Sequence, residues 1–372
     1  MVPLARALEA VGHRVAFATD PGFCAYVRGV GFEAHPAGLN QREASKRLDA
    51  VMPESEWEDI APEDQMRYLL SRLFGPIRVP PMLEDLSGIF AEWLPDLVIH
   101  DTAEMAGAIA AEAAGIPHVE HSFGILRPAV ERRLATESVA AISSGLGVPN
   151  PGVGGIGGEL YLDICPPGIQ HPEIVDVPRA QPIRPMGFDA APDDVLPGWL
   201  ADLPSRPTVY VTMGTFFNSA ASVFTTVLDG LRDEPVNVIV TVGKDVDPAV
   251  LGSQPDNVHV ERYIPQSQLL PYCHLLVSHA GSGALLGALN AGVPMLAIPQ
   301  GADQYSNAAR IVDVGLGLRL RESDLNAIAV RDSARRLLGE GEFARVARSQ
   351  QAAIENMPTP DSVVPVLEAL VT

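Results

Sequence analysis

LLVSHAGSGALLGALNAGVPMLAIPQGADQYSNAAR, residues 275–310, contains two successive strand-turn-helix units. The apolar run 275–278 has the length of a strand and ends in Ser278-His279-Ala280-Gly281-Ser282-Gly283. Apolar residues then continue at helical spacing to residue 291. A second apolar run, 295–298, leads through Pro299-Gln300-Gly301-Ala302-Asp303-Gln304 into another helical stretch, 305–314. Strands separated by helices imply crossover connections and therefore a parallel sheet. Glycine at 281 and 283 lets the backbone turn tightly and come close to a ligand. The unpaired N–H groups and dipole of a helix start favour an anion. His279 can add a hydrogen bond to a phosphate oxygen. Two readings of the turn stand side by side: a cradle for a diphosphate, or a tight structural turn with a satisfied histidine. Asp303 and Gln304, a carboxylate beside an amide at the second helix start, suit paired hydrogen bonds to sugar hydroxyls. The alternative for Asp303 is an N-cap.

Outward from this stretch the same alternation fills the second half. Further strands are expected at 208–212, 237–242, 258–263 and 316–320, with helices at 219–232, 324–338, 342–355 and 361–370. The first half is looser. Strands are expected at 14–19, 97–101 and 118–122, and helices at 22–30, 103–114 and 128–143. A long helical pattern from 63 to 93 is broken near Gly75-Pro76 and Pro80-Pro81. Residues 145–172 are rich in Gly and Pro and read as irregular surface, and Pro178 to Pro197 reads as a linker. The expected organisation is an N-terminal domain over 1–180, a linker over 181–200, a second domain over 201–355, and a C-terminal helix in 356–372 that packs back on the first domain. The chain opens on a helix, 2–10, rather than on the strand that normally begins a doubly wound domain. A first strand and its loop are therefore expected upstream of Met1.

Composition narrows the function classes. The 372 residues suit two α/β domains, and a formal net charge of −20 repels nucleic acid and anionic lipid. An anionic ligand then requires a local pocket. No apolar run reaches the roughly 20 residues of a membrane span, and no signal peptide is legible. Cys24, Cys165 and Cys273 have neither metal nor disulfide spacing and read as buried apolar residues in a cytoplasmic protein.

The motif residues resemble the donor-site signature of family-1 glycosyltransferases, above all the bacterial enzymes that decorate macrolides and other natural products. The shared pattern is His-x-Gly-x-Gly at 279–283, Ala291-Gly292-Val293-Pro294, and Pro299 followed by Asp303-Gln304-x-x-Asn307-Ala308. Val211-Thr212-Met213-Gly214-Thr215 resembles the family's Gly-Thr loop, and Tyr263-Ile264-Pro265-Gln266 its base-holding segment. The resemblance implies a GT-B fold, two Rossmann-like domains facing across a cleft, and an inverting transfer of a sugar from a UDP- or dTDP-sugar to a hydroxyl of a small hydrophobic acceptor. It implies His279, Gly281, Ser282, Gly283 and Thr215 at the diphosphate, Asp303 and Gln304 at the sugar, and Ile264 and Gln266 at the base. Neither a cofactor nor a metal is implied, and a homodimer is compatible with the pattern.

In the first half, Pro95 to Asp101 resembles the family strand whose acidic residue orients the catalytic base. That gives Asp101 this role, with an N-cap for the following helix as the alternative. His121 and Phe123 are candidates to line the acceptor cleft, together with Trp57, Phe74 and the 145–172 loop. The family's basic histidine would precede Met1. A relative that binds nucleotide sugar without transferring it therefore stands as the second reading. A sugar-nucleotide epimerase of similar architecture is disfavoured by the Asp303-Gln304 pair and by the lack of a second acid/base cluster.

Overall fold

The computed structural model describes residues 1–52, 60–148, 158–189, 194–214 and 221–371. The chain divides into two compact units. One comprises Met1–Cys165, Gln170–Arg184 and Met357–Thr372; the other comprises Pro166–Ile169 and Pro185–Asn356.

In the first unit, β1 (Ala16–Thr19) pairs in parallel with β2 (Glu33–Pro36). A separate sheet has the order β3-β4-β5-β6, formed by Val98–Asp101, His118–His121, Leu160–Asp163 and Ala180–Pro182, all parallel. Two of these strands correct the sequence reading. β5 is fully buried inside the stretch expected to be irregular, and β6 begins the stretch expected to be a linker. Proline is tolerated in β6 because it is an edge strand, where the missing N–H breaks no ladder. The break expected at Gly75-Pro76 is instead a π-helical stretch, Leu69–Ile77, with Pro76 inside it. Pro80 and Pro81 fall in the first turn of Val79–Trp93, where no donor is lost. Helices Val2–Ala10 and Pro360–Glu368 place Leu4, Val363 and Leu367 against Val119, Leu160, Leu162 and Ile183 in one apolar core.

The second unit holds one six-stranded parallel sheet in the order β12-β11-β10-β7-β8-β9. Its strands are β7 (Thr208–Thr212), β8 (Asn237–Thr241), β9 (Val258–Glu261), β10 (Leu275–Ser278), β11 (Met295–Ala297) and β12 (Gly317–Arg319). β7, β8 and β10 are buried at every position, as expected of strands covered by helices on both faces. Val227, Leu231, Val330 and Leu337, from helices Ala221–Leu231 and Ala327–Gly339, pack on Val209, Val211, Val238 and Val277. From β7 the chain winds one way through β8 and β9, then returns to β10 and winds the other way through β11 and β12. The reversal lies between β7 and β10. In open α/β sheets ligands bind beyond the carboxyl ends of the strands at this switch point. Among the described residues no helix is long and apolar enough to cross a membrane.

Candidate functional site at the sheet switch point

Gly214 follows β7 by two residues and His279 follows β10 by one, so both loops emerge at the switch point. Their backbones are shaped around the imidazole. A Cβ on Gly214 would lie 2.6 Å from His279 Cε1, and one on Gly281 would lie 2.5 Å from Nε2. Gly214 also has φ +73°, which L side chains rarely adopt. Both glycines thus make room for the ring. Burial lowers the His279 pKa and the nearby Asp303 carboxylate partly restores it, so the imidazole is neutral near pH 7.

The turn before the helix is held in a strained shape. Ala280 has φ +63°, an αL conformation that costs a non-glycine residue roughly 1–3 kcal/mol. Ser278 Oγ accepts from Ala280 N at 3.1 Å, and Asn307 Nδ2 donates to Ala280 O at 3.0 Å. The helix Ser282–Ala291 has Gly281 as its N-cap and no side-chain cap. Its leading N–H groups, Ser282 and Gly283 among them, therefore point from the switch point without a capping oxygen. The matching loop after β11 repeats the device. Ala302 has φ +53°, and Gln304 Oε1 accepts from Gln300 N (2.8 Å) and Gly301 N (3.1 Å).

Asp303 joins the two helix starts. It stands at the N-cap position of helix Gln304–Asp313, as the alternative reading has it, but its side chain accepts from no backbone N–H of that helix. Its Oδ2 accepts instead from the Ser282 hydroxyl at 2.7 Å and from Asn307 Nδ2 at 2.8 Å. The structure therefore brings His279, Gly281, Ser282, Gly283 and Asp303 to one corner. Gln304 stands beside them as a buried brace of its own loop. Thr215 lies outside the described residues. Ile264 is buried after β9. Gln266 starts the short helix Gln266–Leu269, and its amide fills the space over Gly287, where a Cβ would lie 2.1 Å from Nε2. Sequence reasoning gave Asn307 no role of its own. Its spacing of four from Asp303 was the available signal, because i and i+4 share a helix face.

Family comparisons bear on this corner. Residues 6–214 match the model of the Erythromycin biosynthesis protein CIII-like N-terminal domain, and residues 225–370 match that of its C-terminal domain. The chain belongs to this family. It has the GT-B fold and is a glycosyltransferase. It is 31% identical to the L-demethylnoviosyl transferase of Streptomyces niveus, over 99% of this chain and 94% of that protein. It is 30% identical to the aklavinone 7-beta-L-rhodosaminyltransferase of Streptomyces galilaeus, over 99% and 92% respectively. The structure of the spinosyn rhamnosyltransferase SpnG matches with a TM-score of 0.81 at 25% identity, covering 99% of this chain and 95% of that one. That rhamnosyltransferase has also been solved with thymidine diphosphate and with spinosyn aglycone.

In the first unit of this glycosyltransferase, Asp101 and His121 face each other as register partners at the carboxyl ends of β3 and β4. Asp101 is not the cap of the following helix. That helix is Met105–Ala114, capped by Glu104, whose carboxylate accepts from Ala106 N (3.0 Å) and Gly107 N (2.7 Å). Asp101 Oδ1 instead accepts from Ala103 N at 2.7 Å. Burial raises the Asp101 pKa, while that hydrogen bond and the field of Arg127 pull it back down. Burial, with a smaller push from the Asp101 charge, carries the Glu104 carboxyl up to about 7 against its two backbone hydrogen bonds. The His121 pKa falls to about 3, chiefly through burial, so the ring is neutral; its Nδ1 donates to Ser122 O at 2.6 Å, leaving Nε2 as an acceptor. Phe123 is half-buried, with the Arg127 guanidinium 5.3 Å from its ring centre. Trp57 lies outside the described residues.

Proposed function

We propose that this glycosyltransferase takes a sugar from a thymidine or uridine diphosphate donor and places it, with inversion, on a hydroxyl of a small hydrophobic natural product. One observation carries the reading: two helix starts at the switch point are tied together by the Ser282–Asp303 hydrogen bond, and the first of them lacks a side-chain cap. The Ser282 and Gly283 N–H groups and the neutral His279 ring then receive the diphosphate, whose charge grows as the glycosidic bond breaks. Donors fixed before the reaction stabilise that charge without reorganising. Asp303 and Gln304 meet the sugar hydroxyls, and Ile264 and Gln266 meet the base. Asp101 is the carboxylate that orients the base deprotonating the acceptor, a step worth roughly 10²–10⁴-fold.

Thymidine diphosphate complexed with the spinosyn rhamnosyltransferase supports the donor class, and the spinosyn aglycone bound by the same protein supports the acceptor class. The test is incubation with dTDP- and UDP-sugars and a panel of polyketide and aromatic aglycones. Product mass is read first, then the anomeric configuration by proton NMR coupling. A glycoside of inverted configuration is expected; a retained configuration, or hydrolysis of the donor with no glycoside formed, refutes the reading.

A further inference from the structure

We infer that Asp189, in the stretch by which the chain enters the second unit, is a positioning residue for the donor nucleotide. It holds the segment Tyr263–Gln266, which meets the base, in a fixed relation to the helix Ser282–Ala291, which meets the diphosphate. The inference rests on the donor reading above and names what keeps the two halves of that site in register.

The base-holding segment cannot hold itself. It runs into the four-residue helix Gln266–Leu269, far too short to be stable alone, and the residue at its N-cap is Pro265, which has no capping side chain. The cap comes from 78 residues away: Asp189 Oδ2 accepts from Ser267 N at 3.0 Å. The Tyr263 hydroxyl donates to the backbone oxygen of the same aspartate. Asp189 thereby grips the segment at both ends, ahead of Ile264 and just after Gln266. The Tyr263 ring is pinned again by Lys244, whose ammonium lies 4.1 Å from the ring centre. A Cβ on Gly187 would stand 3.0 Å from Ser267 Cβ, so glycine there lets the two stretches close up.

The same stretch also reaches the diphosphate helix. Asn290, in its last turn, donates through Nδ2 to Pro185 O at 3.2 Å. The Gln266 amide packs over Gly287 of that helix. Residues 185–189, the base-holding segment and the helix therefore form a closed set in which each touches the other two. A nucleoside diphosphate carries its base and its phosphates at a bounded separation. A protein that fixes the matching separation beforehand loses less ordering entropy on binding. Stability does not account for the carboxylate, because Asp189 Oδ1 is buried with no hydrogen-bond partner among the described residues. An acceptor left in that state is a cost, and its explanation lies in what the side chain holds in place.

The probes are thymidine diphosphate and inorganic pyrophosphate, which presents the two phosphates without a base. Each is titrated calorimetrically into the full chain. Asp189→Ala should weaken thymidine diphosphate about tenfold, the weaker end of one charge-assisted hydrogen bond, and hold pyrophosphate within about twofold. Asp189→Asn keeps an acceptor oxygen for Ser267 N and should restore most of the lost affinity. If Asp189→Ala does not fold, Tyr263→Phe carries the test. It removes only the second tie and should weaken thymidine diphosphate about fivefold with pyrophosphate again spared. Equal losses for the two probes would make Asp189 a general prop of the unit and overturn the inference. So would an alanine variant that keeps full nucleotide affinity, or an asparagine variant as weak as alanine. Failure of the wild type to bind thymidine diphosphate would instead count against the donor reading, which keeps the two failures apart.

Discussion

Gly283 separates a ligand-driven residue from a fold-driven one. It is the second residue of helix Ser282–Ala291, it is exposed, and a Cβ built on it meets no heavy atom within 4 Å. It is absent from the residues with positive φ. Among the described residues nothing therefore requires glycine there. Gly283→Ala should raise stability by about 0.5 kcal/mol, because alanine has the better helix propensity and leaves the unfolded chain fewer conformations. With a diphosphate against the leading N–H groups, the added methyl stands where an oxygen must approach. Losing one charge-assisted hydrogen bond costs about 1.5–3 kcal/mol, which is ten- to roughly hundredfold in affinity. Thermal melting reads the first quantity and isothermal titration with thymidine diphosphate the second. Opposite signs are the signature: a chain that melts slightly higher and binds at least tenfold more weakly. An alanine variant that keeps full nucleotide affinity would refute the placement of the diphosphate at this helix start.

Four further outcomes follow from the same geometry. His279→Ala should weaken nucleotide binding at least tenfold by calorimetry, with little effect on the melting temperature. Gly214→Ala should lower both stability and nucleotide affinity, because it adds αL strain of about 1–2 kcal/mol to the 2.6 Å approach to His279 and displaces the ring; an unchanged melting temperature would contradict this. Asp303→Ala should weaken binding of the full sugar nucleotide more than that of thymidine diphosphate, and equal losses would remove its sugar contact. The fourth concerns pH. Burial pushes the Asp163 carboxyl up to about 6, against the hydrogen bonds from Gln170 and Cys165. The folded state then holds this proton more tightly than the unfolded state, so stability falls as pH rises from about 4 to about 6 and is level above that. The drop is about 3 kcal/mol at 1.36 kcal/mol per pH unit. Asp163→Asn should flatten denaturant midpoints across that window, and a slope equal to wild type would contradict the assignment.

The second unit was legible because each signal agreed with the next. Continuous apolar runs at 208–212 and 275–278 can only be buried parallel strands once helical patterns separate them, and the glycine-rich turn between strand and helix at 278–283 marks the switch point. The first unit was less legible. β5 sits in a stretch where Gly and Pro mask a four-residue run, and β6 carries a proline that only its edge position tolerates. Glu104 was missed as a cap because Asp101 is the more usual capping type and stands only three residues earlier. The partner of Asp303 was hidden for a different reason. Its hydrogen bond to Ser282 spans 21 residues and depends on β10 and β11 being adjacent, which a local reading of the helix start cannot supply.

The central claim is that the corner joined by Ser282 and Asp303 holds the donor diphosphate. A crystal structure of the chain with thymidine diphosphate tests it most directly. The account expects diphosphate oxygens at hydrogen-bond distance, about 2.7–3.2 Å, from the Ser282 and Gly283 backbone nitrogens and from the His279 imidazole. A diphosphate bound elsewhere, with those nitrogens facing only solvent, would contradict it.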